Sequence, residues 1–79
     1  MEILSLKSWR RRRFLTIRGM AALAHVAPKT VLDLEGGHRS PRPGTIRALS
    51  SALNIEPEQV EEFRRAMGFP SSEEESNER

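Results

Sequence analysis

An all-α fold, a compact bundle of five short helices, is predicted by three observations. Apolar residues recur every three or four positions along most of the chain, the period of a helix with one buried face. No run alternates β-branched with polar residues and no Asn-Gly hairpin occurs, so no strand is expected. Glycine and proline fall at Pro28, Gly36-Gly37, Pro41 to Gly44, Pro57 and Gly68 to Pro70, and these breaks cut the periodic stretches to short lengths.

The first helix is expected from about Ser5 to Arg13. Leu6 and Trp9 share its inner face with Ile3 of the preceding arm, and Arg10 and Arg13 border that face. The second starts after Thr16, whose hydroxyl suits an N-cap, and runs to about Ala24, burying Met20, Ala21 and Ala24. His25-Val26-Ala27 then forms a three-residue turn. The third helix opens on Pro28, favoured at a first helical position because its missing N–H is not needed there. It stops at Gly36-Gly37, where glycine can take a left-handed cap. The fourth covers about Thr45 to Leu53, with Ile46, Leu49 and Leu53 inward and Asn54 as cap. The fifth opens at Pro57, has Glu56 and Glu58 at its positive end, and carries the stripe Val60, Phe63 and Met67. Phe69 is expected to be at least partly core as well. Residues 1–69 are expected to form one domain, and the Ser/Glu-rich residues 70–79 a disordered acidic tail.

Composition limits what such a bundle can do. In 79 residues, with 37% hydrophobic and 30% charged, there is apolar mass for one core only. The net charge of +2 is unevenly divided. Residues 1–55 hold ten cations against three carboxylates, a net +7, and residues 56–79 hold three against eight, a net −5. A basic body suggests a polyanionic partner, although charge alone also admits an acidic protein or a membrane surface. The absence of cysteine excludes disulfides, thiolate metal sites and cysteine nucleophiles. His25 and His38 lack a third ligand, so neither a metal nor any other cofactor is expected. Glu56, Glu58, Glu61 and Glu62 fall on an outer face with no nucleophile–base pairing, which reads as a solvated face rather than an active site. No apolar stretch is long enough to cross a bilayer and no leader pattern opens the chain, so a cytoplasmic protein is expected.

Two short helices joined by a three-residue turn are the helix-turn-helix arrangement, whose second helix can enter the major groove of DNA. Ala21 is small where the two helices cross, Val26 plugs the turn, and Val31 and Leu34 tie the third helix inward. Lys29, Leu32 and Asp33 are left on the outer face without a core role.

From Leu6 to Ile55 the chain resembles the phage Cro and repressor class of helix-turn-helix domains, the XRE family. The resemblance rests on Leu15-Thr16, Met20-Ala21, Ala24, Val26, Thr30-Val31, Leu34-Glu35, Gly37, Pro41, Thr45-Ile46, Leu49, Ala52-Leu53 and Ile55, which align without a gap. It implies a lambda-repressor-like bundle of five helices, the third being the recognition helix, in a dimeric regulator of bacteria and their mobile elements. By the same resemblance, Pro28 and Lys29 stand where base edges are read, with Leu32 and Asp33 one turn on. Thr16 and Arg18 stand where phosphate is bound, and Arg39 and Arg42 where the backbone is clamped. Arg10 and Glu35 match a partly buried ion pair. The chain departs from the family at Ile17, where glutamine is frequent, at His25, where glycine is usual, and at Phe14, where a small residue precedes Leu15. Phe14 either covers the edge of the core or packs on a partner.

Several of these positions admit more than one role. Lys29 can take a base edge or a phosphate. Leu32 can touch a thymine methyl or fill a gap beneath the turn. Asp33 can accept from cytosine N4, repel other sequences, or pair with Arg18 or Lys29. Arg11 and Arg12 can be part of a nucleic-acid arm or simply solvated. The expected function is therefore that of a sequence-specific regulator binding double-stranded DNA as a homodimer, a repressor located in the cytoplasm on the bacterial nucleoid. The alternative is a protein-interaction module on the same fold, antitoxin-like or sequestering another regulator.

Overall fold

The computed structural model describes residues 2–68. Among these, five α-helices and one 3-10 turn surround a single core. Helix α1 spans Leu6–Arg12, with Ser5 as N-cap accepting the Ser8 N–H at 3.1 Å. Helix α2, Ile17–Ala24, is capped by Thr16, whose Oγ1 accepts the Gly19 N–H at 2.9 Å. A Cβ at position 19 would stand 3.1 Å from that oxygen, so glycine keeps the cap uncrowded. His25 ends α2 in the left-handed conformation, φ 59° and ψ 42°, a region histidine enters more readily than most residues.

Helix α3 spans Pro28–Glu35 with Pro28 in its first turn. Gly36 at its end stays right-handed, and Gly37 takes the positive φ of 76° that a side chain would strain. Helix α4 spans Pro43–Leu53, so it begins two residues before the expected Thr45. Pro43 is the reason: it occupies the first helical position, for which its fixed φ is suited, and Arg42 becomes the N-cap. Asn54 caps the other end in the left-handed region, φ 58°.

The expected fifth helix is broken in two. Pro57–Gln59 form a 3-10 turn, Val60 is extended, and α5 covers only Glu61–Ala66. The break has a tertiary cause. Leu4 of the N-terminal arm pairs in parallel with Val60, donating to Gln59 O at 3.0 Å and accepting from Glu61 N at 2.9 Å. No strand forms among the described residues, as expected, and this pairing is an isolated bridge. Two side-chain bonds reinforce it. Trp9 Nε1 donates to Gln59 O at 2.7 Å, and Glu62 accepts the Leu6 N–H at 2.8 Å. Glu62 is thus no member of a solvated face; it supplies a carboxylate to the first turn of α1, where the helix dipole favours negative charge.

Every helix contributes to the core, which includes Leu6, Trp9, Met20, Val31, Leu34, Leu49, Leu53, Val60 and Phe63. Met67 is exposed at the edge of the bundle. No helix among the described residues is long and apolar enough to cross a membrane. Phe69 and the expected acidic tail, residues 70–79, lie outside the described residues.

Candidate nucleic-acid interface

Helices α2 and α3 pack closely across the turn His25-Val26-Ala27. Ala21 is buried, and the Val26 N–H reaches back to Ala21 O at 3.0 Å. Val31 and Leu34 anchor the inner face of α3 and are almost wholly buried. The opposite face is left to solvent, with Pro28 and Lys29 exposed and Leu32 exposed over 54% of its surface. Leu32 therefore fills no gap beneath the turn.

Asp33 sits among these residues but is not free. Its Oδ2 lies 3.4 Å from Lys29 Nζ, one turn back on α3, and 3.9 Å from Arg39 in the following loop. Of the two pairings open to it in sequence, Lys29 is realised, and Arg39 takes the place considered for Arg18. Arg39 also donates to Thr30 Oγ1 at 3.5 Å. These contacts are long for charged partners and the two cations stay largely exposed, although Asp33 itself is only 18% exposed, so the cations are held near the face of α3 without being consumed by it.

Arg39 and Arg42 come together on the rim of a polar cleft of about 540 Å³, between α3 and the first turn of α4. Thr30, Ser40 and Thr45 add hydroxyls to the same cleft. Arg42 caps α4 without a side-chain hydrogen bond and its side chain is exposed. The cleft thus combines two guanidinium groups, three hydroxyls and the positive end of an eleven-residue helix. Thr16 and Arg18 stand apart from it, at the first turn of α2. Arg18 is exposed, whereas the Thr16 hydroxyl already serves as a cap.

At its far end α3 is fixed by Arg10 and Glu35. The guanidinium meets the carboxylate through two bonds, Nε to Oε2 at 2.6 Å and Nη2 to Oε1 at 3.1 Å, and its Nη1 donates to Leu15 O at 2.8 Å. Both side chains are nearly buried, at 11% and 6% exposure. The hydrogen bond to Glu35 raises the Arg10 pKa further, against the opposing effect of burial. One pair therefore joins α1, the α1–α2 turn and the end of α3.

The other arginines of the run diverge. Arg12 pairs with exposed Glu2 at 2.6 and 3.0 Å and lies 5.4 Å from the Trp9 ring centre. Their hydrogen bond lowers the Glu2 pKa and raises that of Arg12. Arg13 donates to Leu53 O at 3.0 Å, and Arg11 points to solvent. They do not form one basic patch. Ile17 is half-buried and packed against the core. Phe14, at φ 58°, is 95% exposed, so it does not cover the core edge.

Comparison with known proteins agrees with this geometry. The helix-turn-helix domain family matches residues 4–63, and the chain belongs to that family. The match takes in Leu4 of the arm, the α2–α3 pair, the Arg39–Arg42 loop and the first half of α5. No curated protein and no solved structure matches the chain.

Proposed function

We propose that this protein is a sequence-specific regulator that binds double-stranded DNA through α3, as a homodimer of the XRE class acting as a repressor. The observation that carries this reading is the exposed face of α3 set beside the Arg39–Arg42 cleft. It supports the reading because Pro28, Lys29 and Leu32 are exposed beside Arg39 and Arg42, and groove recognition calls for base contacts and phosphate contacts on neighbouring surfaces. In this reading Arg39 and Arg42, with Arg18 and Thr16 at the start of α2, take phosphates and set the register. Pro28 and Leu32 touch thymine methyls, and Lys29 reaches guanine O6 and N7. Asp33 orients Lys29 and Arg39 and accepts from cytosine N4 where a C·G pair faces it. One copy offers few base contacts, which favours two half-sites about 34–36 Å apart. Occupation of a promoter by such a dimer would block transcription.

Selection from random duplexes, followed by titration of the selected site, tests the proposal. A palindromic site should emerge. The double change Arg39→Glu with Arg42→Glu should weaken binding ~100-fold or more, since two charge-assisted contacts carry about 3 kcal/mol together. It should also flatten the salt dependence by ~2 units of slope. Undiminished binding by the double variant would sink the docking geometry. A second reading, a protein-interaction module, is favoured by the exposed Phe14 and Leu32. It predicts that no duplex is selected while the fold remains intact.

A further inference from the structure

Beside α4 and α5 lies an apolar groove of about 520 Å³, away from the Arg39–Arg42 cleft, formed chiefly by Pro41, Pro43, Ile46, Ile55, Pro57 and Met67. The DNA-binding reading gives this groove no role. We propose that it is the seat of the chain's own segment 69–71, with Phe69 as the side chain that fills it.

The path of the chain supports this occupant. The described residues end at Gly68, immediately after Ala66 and Met67, which both line the groove. Gly68 has φ 87° and donates to Arg65 O at 3.2 Å. A left-handed residue bonded in this way closes a helix and turns the chain back, and the next residue commonly packs on the last turn. That next residue is Phe69, followed by Pro70. An aromatic ring can bury some 150–250 Å² of surface.

The polar atoms around the groove fit the same segment. Ser50 lines it, is only 3% exposed, and its Oγ has no hydrogen-bond partner among the described residues. Arg47 is exposed on the groove wall, and no carboxylate is among the lining residues. Past Phe69-Pro70 the sequence runs Ser71, Ser72, Glu73, Glu74, Glu75. Five residues of extended chain reach roughly 16 Å, so an apolar anchor at the α5 end allows the carboxylates to approach Arg47. A second copy could offer an apolar side chain to the same groove. A one-residue tether, however, holds Phe69 at a high effective concentration that a dilute second copy does not match.

Isotope-filtered nuclear Overhauser spectra of the full chain, recorded on a mixture of labelled and unlabelled molecules, test the proposal. The expected result is contact from the Phe69 ring to the Ile46, Ile55 and Met67 side chains within one molecule, unchanged on dilution. Contacts seen only between molecules would overturn it in favour of a second copy, and absence of contacts would overturn it outright. Independently, Phe69→Ser should lower the melting temperature by roughly 4–8 °C. An unchanged melting temperature would also overturn the proposal.

Discussion

The last turn of α3 carries two acidic residues, each paired with arginine, and the pairs differ in kind. Glu35 holds Arg10 in two short bonds within a nearly closed environment. Asp33, two residues earlier, faces Lys29 and Arg39 at 3.4 and 3.9 Å, with those cations 78% and 49% exposed. The same carboxylate chemistry therefore does two jobs. Where water is excluded the pair fixes the position of a helix; where water remains the cations keep their capacity for another anion. Burial rather than sequence spacing separates structural from available charge in this chain.

The contrast is most directly broken at Glu35. Glu35→Ala should cost ~3 kcal/mol in denaturant unfolding, because it strands Arg10 in a nearly buried site. A loss of a few tenths would mean that the two pairs do not differ. Asp33→Ala is expected to change stability by less than ~1 kcal/mol, because its pairings are long and the cations it leaves behind are solvated. It should tighten binding to random duplex a few-fold, because Lys29 and Arg39 lose their competing anion. Weaker binding to random duplex would show that Asp33 does not compete with phosphate for Lys29 and Arg39. Glu2→Gln is expected to have the smallest effect. The pKa of Glu2 is held below its ordinary value in the folded chain, so its contribution is present above the unfolded value and lost as pH falls through the folded one. The variant and parent melting curves should differ slightly at neutral pH and coincide in acid.

Much of the framework can be read from local chemistry. Thr16 as a cap, Pro28 at a first turn, His25 and Asn54 as left-handed ends, and the inward Val31 and Leu34 all follow from the residue and its immediate neighbours. The features that escape are those set by distant segments. A single bridge at Leu4 and Val60 has no periodicity to detect, yet it breaks the fifth helix. Glu62 has the spacing of a solvated residue, and only the approach of α1 makes it a cap. The start of α4 was legible in Pro43, since the rule that places Pro28 applies there equally. At the candidate interface, the exposure of Lys29 and Leu32 follows from helical spacing. The bond from Arg39 to Thr30 depends on how the loop folds back and leaves no local trace.

The clasp of the N-terminal arm onto the Pro57–Glu62 segment has a consequence for chain entropy. The Leu6–Glu62 bond joins positions 56 residues apart, whereas the α2–α3 turn is closed by neighbours. Loop-closure cost rises only logarithmically with length, so closing this ring costs just ~0.6 kcal/mol more than closing one half as long. Three main contacts, the Leu4 bridge, the Trp9 indole bond and the Glu62 cap, share that one closure. Once any of them forms, the others are local, and a bundle of short helices becomes a single closed circuit.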